Sequence, residues 1–422
     1  MIELGLARIQ TLLQRTPQTW KAIHVAGTNG KGSICAYLEA MLHANNIACG
    51  RFTSPHLIDR WDCISINARA VPETKFRHFE NLVKKRNEDL RVGATEFELL
   101  TATAFEIFEA EKVEVGVIEV GLGGRLDATN VLKEKAVTII SKIGFDHQAI
   151  LGNTIEDIAL QKAGIMQAGV PCVVDASNSE PVRLVFDSHS LQTGAPLKYV
   201  SPGPSELMKS LKSLRPHQAQ NLALAHEAFR LAYPQFAESV GILVPAIRNM
   251  SWPGRLQMVD IQALTSRKEK VLLDGAHNPQ SAEVLAAYVN EHLRHCASPA
   301  KQQQPLIWVL AASKGKDLGE ILKLLLRPGD SVVAVEFGPV DGMPWVQPME
   351  SEEILKQCPV DVTKHDAQKD LAAALDWASK TADKSPLVIA GSLYLVSDVL
   401  RLLRGHVTSN SQDSSCPHKE TI

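Results

Sequence analysis

Short runs of β-branched and other apolar residues alternate along this chain with stretches whose apolar residues recur every three or four positions. The first pair is a strand-length run at 22–26 and a helical pattern at 34–44, where Leu38, Met41 and Leu42 share one face. A Gly-rich turn lies between them. Residues 97–111 repeat the helical spacing. The near-continuous apolar runs at 113–120, 136–143 and 170–175 predict strands covered on both faces. After Trp252 the alternation restarts, with predicted strands at 271–273, 306–311, 331–335 and 387–390 and helices through 284–289 and 318–326. Strands alternating with helices predict mostly parallel sheets joined by right-handed crossovers. The expectation is two α/β domains, 1–253 and 254–407, with a ligand cleft between them. Polar stretches at 177–180, 201–205 and 298–305 predict surface loops, and 408–422 a disordered tail.

Composition narrows the class. Hydrophobic residues make up 45% of the 422 positions and charged residues 22%, which excludes a disordered or collagen-like chain. Lys and Arg number 44 against 47 Asp and Glu, so neither a nucleic acid nor an acidic membrane is an expected partner. The best membrane-spanning candidate, 386–400, is broken by Gly391, Ser392 and Asp398. Seven cysteines without a C-x-x-C pair predict reduced thiols, not a disulfide frame or a zinc site. At the N-terminus Ile2, Leu6, Ile9 and Leu13 fall on one face and predict a first helix. Glu3 and the lack of a small-residue cleavage site argue against a secretory signal. The expected location is the cytoplasm, with a mitochondrial pool left open.

The segment 23–33 (IHVAGTNGKGS) runs strand, Gly-rich turn, helix. Gly27, Gly30 and Gly32 let backbone N–H groups face an anion at a helix N-terminus, Lys31 adds a mobile cation, and Ser33 can reach Mg2+. The strict P-loop pattern fails, because Val25 and Gly32 stand where Gly and Ser/Thr belong. The plain alternative is a Gly-rich turn with a surface lysine. Glu119 ends the buried run at 116–120, where an acid points into the ligand crevice and suits a hard cation; pairing with Arg125 or helix capping is equally open. Asp146 and His147 stand at an equivalent strand end. Lys162, just before Gly164, reads by itself as a cation complementing a helix C-terminus.

Taken in order, the segments 24–33 (HVAGTNGKGS), 52–57 (FTSPHL), 119–130 (EVGLGGRLDATN), 146–147 with 151–152, 162–165 (KAGI), 252–256 (WPGRL) and 274–279 (DGAHNP) resemble the folylpolyglutamate synthase/dihydrofolate synthase family of the Mur ligase superfamily. They cover most of the chain. The stretches 2–6, 95–101 (TEFELLT), 342–345 (GMPW) and 391–395 (GSLYL) are similar to its fungal dihydrofolate synthetase branch. The resemblance implies an N-terminal P-loop-type domain of mostly parallel sheet and a smaller, Rossmann-like C-terminal domain. It also implies ATP-dependent ligation of L-glutamate to 7,8-dihydropteroate through an acyl phosphate, with elongation of tetrahydrofolate, or both activities, as the alternative. The expected partners are these small molecules, and the expected state is a monomer.

By position, the resemblance assigns Gly27, Thr28, Asn29, Gly30, Lys31, Gly32 and Ser33, with Asn221, Arg255, Asp274 and His277, to ATP. Ser54 and Glu119 would hold a first Mg2+, and His147 and Lys162, the latter as a carbamate, a second. Lys31, His147 and Lys162 are the expected catalytic residues. The family commonly has Glu before that lysine; Gln161 stands here. Thr95, Glu96, Phe97 and Glu98, with Leu126, Asp127 and Ala128, match the pterin loops, and Ser313, Lys314 and His365 are candidates for the glutamate site. Two rivals are a regulatory protein that kept the nucleotide site and a cell-wall ligase of the same superfamily. The retained Lys31, Glu119, His147, Lys162 and Arg255 speak against the first, and segments 52–57 and 95–98 against the second.

Overall fold

The computed structural model describes residues 4–236, 239–250, 252–294 and 304–413, with side chains as far as residue 406. The chain divides into two units, Met1–Trp252 and Pro253–Ile422.

The first unit is built on eight strands: β1 (Lys21–Ala26), β2 (Cys49–Phe52), β3 (Ile64–Ile66), β4 (Arg69–Ala70), β5 (Val115–Glu119), β6 (Lys135–Ile140), β7 (Cys172–Asp175) and β8 (Leu197–Val200). Their order in the sheet is β4-β3-β2-β5-β1-β6-β7-β8. β2, β5, β1, β6, β7 and β8 run parallel, and β3 and β4 form an antiparallel edge. β1 lies between β5 and β6, so Ile23 and Val25 enter one core and Ala22 the other. On the first side the helix Lys31–Ala44 packs Ile34, Leu38, Met41 and Leu42 with Leu222, Phe229 and Leu243. On the second, Trp20 meets Phe105 and Phe108 of the helix Glu96–Ala110 edge-on, at 5.3 and 5.4 Å. The C-terminal ends of β1, β5 and β6 therefore lie side by side, which is where a doubly wound sheet takes its ligand.

The second unit contains β9 (Gln257–Val259), β10 (Val271–Leu273), β11 (Ile307–Leu310), β12 (Ser331–Ala334), β13 (Thr363–Asp366) and β14 (Leu387–Ala390), in the order β13-β12-β11-β14-β10-β9. Only the β9–β10 pair is antiparallel. At its base Asp330 is fully buried and accepts from Arg294 Nη1 and Nη2 (2.8 and 2.6 Å), Leu306 N (2.9 Å), Trp308 Nε1 (3.1 Å) and Arg327 N (3.0 Å). No described helix is long and apolar enough to cross a membrane.

Three expectations change. The first helix is only Ala7–Leu12, because Gly5 ahead of it bonds through its N–H to Leu126 O (3.2 Å); Ile2 and Glu3 lie outside the described residues. The last helix, Leu393–Asp413, continues through 408–413, a stretch polar in composition but free of Pro and Gly, so tail composition alone does not end it; 414–422 lie outside the described residues. Of the predicted loop at 298–305, residues up to 303 lie outside them as well.

Candidate active site

The phosphate loop leaves the end of β1 and enters the helix Lys31–Ala44 at Gly30, whose φ is 92°. It is strapped to the chain that follows β6. Thr28 N and Asn29 N donate to Lys142 O (3.0 and 3.4 Å), and Ser141 Oγ donates to Asn29 O (2.7 Å). Thr28 Oγ1 donates to Gly144 O (3.0 Å) and accepts from Gly144 N (3.1 Å). The glycines are places of close approach as well as of unusual backbone. A Cβ at Gly30 would lie 2.4 Å from Asn221 Oδ1, and one at Gly32 would lie 2.8 Å from Trp252 Cζ2. Asn221, from the helix Pro216–Ala232, is thus brought against the loop.

Glu119, the last residue of β5, is buried beside this loop. Lys31 Nζ lies 3.7 Å from Glu119 Oε1, and Ser54 N donates to Glu119 Oε2 (3.4 Å). Arg125 is exposed, its main-chain N–H donates to Gln161 O (2.7 Å), and the cation beside Glu119 is Lys31. Lys162 does not cover its helix end in solvent. It points inward from the last turn of Ile155–Ala163 and its Nζ donates to Gly27 O at 2.8 Å, with the residue 5% exposed. Burial, and then the positive charge of Lys31, pull its pKa from 10.5 down to about 7, opposed by Asp146 and Asp127. His147 caps the short helix Gln148–Leu151 in a left-handed conformation (φ 54°), half-exposed, with Nε2 3.8 Å from Asp146 Oδ1.

Of the residues matched to the acid substrate, Phe97 meets Gly121, five residues ahead of Leu126. Phe97 stacks on Phe52 (6.1 Å, 28°), and a Cβ at Gly121 would stand 2.4 Å from its ring. Its neighbours are committed to local structure. Thr95 and Glu98 form a capping box, and Arg8 Nε holds Glu98 at 2.9 Å. Arg60 Nη1 donates to Glu96 (2.9 Å). Asp127 is buried and accepts from Leu122 N (2.8 Å) and Thr129 N (3.0 Å); burial raises its pKa against those bonds. Ala128 is buried and Leu126 is 42% exposed, so Leu126 is the open face of its loop.

In the second unit Asp274 follows β10 and is buried. It accepts from Leu256 N (2.7 Å) and Ala276 N (2.9 Å), which ties it to the turn carrying Arg255. It does not cap the next helix; Asn278 does, with Ser281 N at 2.9 Å. Burial raises the Asp274 pKa and the Arg255 charge opposes this. Arg255 Nη1 would stand 2.5 Å from a Cβ at Gly275, and His277 Nδ1 lies 2.8 Å from Gly275 O, so Arg255, Asp274 and His277 form one group. Ser313 bridges to Pro348 and Lys314 faces Glu350 (3.6 Å) near the end of β11, whereas His365 is stacked on Trp377 (4.7 Å, 3°) away from them on β13.

Among the described residues no three His, Cys, Asp or Glu side chains gather into a metal site. One buried carboxylate beside a phosphate loop suits Mg2+, which takes few protein ligands and completes its octahedron with phosphate oxygens and water. Three participants escaped the sequence reading. Ser141 and Gly144 hold the loop, and Arg51 lies over the Trp252 ring (5.0 Å) while its Nε donates to Glu39 (2.7 Å). None of the three left a local signal, since 49–52, 141 and 144 lie outside any pattern that marks a site.

A family described as dihydrofolate synthetase, C-terminal domain, matches residues 257–402. A probable dihydrofolate synthetase of Schizosaccharomyces pombe is 39% identical over 422 aligned residues, which span 96% of this chain and 99% of that one. The dihydrofolate synthetase of Saccharomyces cerevisiae is 35% identical, with the same coverage of 96% and 99%. Among solved structures, a bifunctional folylpolyglutamate synthase/dihydrofolate synthase with Mn, AMPPNP and L-glutamate bound matches with a TM-score of 0.76 and 26% identity, over 96% of this chain and 95% of that one.

Proposed function

The chain belongs to the folylpolyglutamate synthase/dihydrofolate synthase family, and from that premise we propose how its residues join L-glutamate to 7,8-dihydropteroate. It is an ATP-dependent acid–amino-acid ligase of folate biosynthesis. A carboxylate is a poor electrophile. The benzoate oxygen of the pterin acid therefore attacks the γ-phosphorus of ATP, ADP leaves, and an acyl phosphate results. The glutamate amine then attacks the acyl carbon, loses a proton, and phosphate departs as the amide forms.

The observation that carries the assignment of roles is the convergence of Lys31, Glu119 and Lys162 on one Gly-rich loop. The N–H groups at the start of the helix Lys31–Ala44 receive the phosphates, and Lys31 swings from Glu119 to the transferring phosphoryl group. Ser54 and Glu119 would hold one divalent ion, and His147 and Lys162 a second. Bound there, Mg2+ neutralises phosphate charge that side chains alone leave uncompensated. Lys162 suits a ligand's role only as a carbamate, formed when the neutral amine adds to CO2 and loses a proton. A pKa near 7 supplies the neutral amine at physiological pH. Phe97 and Leu126 offer the apolar surface for the pterin acid, and Arg255, Asp274 and His277 act on the nucleotide. The same reading takes the chain as a cytoplasmic monomer with small-molecule partners.

The deciding experiment supplies purified protein with ATP, Mg2+, L-glutamate and either 7,8-dihydropteroate or tetrahydrofolate, and follows ADP release and product mass. Dihydropteroate is expected to give dihydrofolate with a single glutamate added, and tetrahydrofolate little product. The reacting carboxylate of a folate lies one glutamate further from the pterin, and a misplacement of about 1 Å costs about a hundredfold in rate. Equal rates would make the chain a bifunctional enzyme.

A further inference from the structure

His24 stands in β1, three residues ahead of Gly27, with 0% of its surface exposed. Its Nε2 lies 2.9 Å from Thr129 Oγ1, and that hydroxyl lies 2.5 Å from Asp127 Oδ1. All three side chains are buried. Counting protons fixes the direction of the chain. Asp127 receives the Leu122 N–H on one oxygen and the Thr129 N–H on the other, so its carboxylate acts as acceptor on both. The Thr129 hydroxyl gives its one proton to Asp127 and can then only accept from His24. His24 therefore donates from Nε2, and because its Nδ1 has no hydrogen-bond partner among the described residues, the neutral ring is the form that leaves no N–H stranded there. Burial, and then the charge of Lys135, hold the imidazole pKa well below its usual value, in keeping with that state.

An orphaned ring nitrogen in a core is a cost that a leucine of similar size would avoid. What the histidine adds is one donor aimed at Thr129. Through it the strand that delivers the phosphate loop is tied to the loop that follows Glu119, since Asp127 Oδ2 pins Leu122 three residues beyond that acid. We propose that His24 is a positioning residue for the acid substrate, setting loop 121–128 in register with the phosphate loop through Thr129 and Asp127. This rests on the reading of Leu126 to Ala128 as part of the pterin-acid site.

Kinetics of His24→Leu, His24→Gln and Thr129→Val in the full chain test it, with thermal melting to confirm folding. A lost donor and a shifted loop should lower kcat/KM for dihydropteroate about tenfold or more in His24→Leu, while KM for ATP moves less than about twofold. His24→Gln keeps an amide N–H near the place of Nε2 and should recover most of the loss. The His24→Leu/Thr129→Val pair should be no worse than the worse single variant, because both cut the same chain. Unchanged use of dihydropteroate, equal changes in both substrates, or losses that multiply in the pair would each overturn the proposal. If His24→Leu does not fold, Thr129→Val alone carries the same comparison. Wild-type protein without dihydropteroate-dependent turnover would instead overturn the substrate reading, and the proposal with it.

Discussion

The Nζ of Lys162 donates to the carbonyl oxygen of Gly27 at 2.8 Å, beneath the first glycine of the phosphate loop. A lysine near a helix end would ordinarily reach solvent and stay charged at any physiological pH. Here the amine is enclosed, and a second cation, Lys31, weighs on it.

The first prediction follows from that enclosure. The folded pKa is about 7 and the ordinary value 10.5, so between them the unfolded chain binds more protons at this site than the folded one. Stability contributed by Lys162 must therefore rise with pH across that window. In CO2-free buffer the melting temperature of the wild type, measured against Lys162→Met, should climb from pH 7 to pH 9. A flat or falling difference would mean that the amine stays charged.

Lys31→Ala should fold and fail to turn over. The side chain is partly exposed, with Nζ 3.4 Å from Thr28 O and 3.7 Å from Glu119 Oε1, so little packing is lost. Removing a cation from the transferring phosphoryl group should raise the barrier by about 3 kcal/mol or more, at least a hundredfold in kcat. Circular dichroism and single-turnover assays separate the two effects.

Gly27→Ala is expected to damage the loop from two directions. The φ of 146° is one that side-chain-bearing residues rarely adopt, and the new Cβ would stand 1.8 Å from Ser141 Oγ. Strain of this kind costs about 1–3 kcal/mol. Pairing it with Ser141→Gly should return space but not backbone freedom, giving partial recovery of melting temperature and of KM for ATP.

Asp274→Asn tests the second unit. Asn offers one acceptor oxygen where the carboxylate now takes Leu256 N and Ala276 N on separate atoms. One buried N–H then faces an NH2 group, a loss of about 1–3 kcal/mol. The melting temperature should fall and KM for ATP should rise, because the turn carrying Arg255 is no longer held. An unchanged KM would detach this group from the nucleotide.

The strands β1, β5, β6 and β11 were legible because each is a largely apolar, β-branched run, and the phosphate loop because its glycines cluster. β2 was not, since four residues that include Gly50 and Arg51 carry no alternation, and the edge strands β3 and β4 are shorter still. In the site, Thr95 and Glu98 have the T-x-x-E spacing of a capping box, yet the resemblance assigned both to the substrate. The approach of Asn221 to Gly30 and of Trp252 to Gly32 joins residues far apart in the chain, which no local pattern reports. The inward turn of Lys162 belongs to the same class: periodicity places it on a helix and says nothing of what lies opposite.

Arg294 and Asp330 in the second unit bear on how such a sequence can drift over generations. Both side chains are buried, and the carboxylate also anchors Leu306, Trp308 and Arg327. Losing one member of a buried ion pair costs about 3–5 kcal/mol, a large share of the roughly 5–15 kcal/mol that holds a typical domain together. A single substitution at either position is therefore close to lethal for the unit, and an apolar pair would still strand the Leu306, Trp308 and Arg327 N–H donors, so a tolerated exchange must change both positions and keep an acceptor among them. The two positions behave as one heritable character, and lineages that differ at 294 should differ at 330 as well.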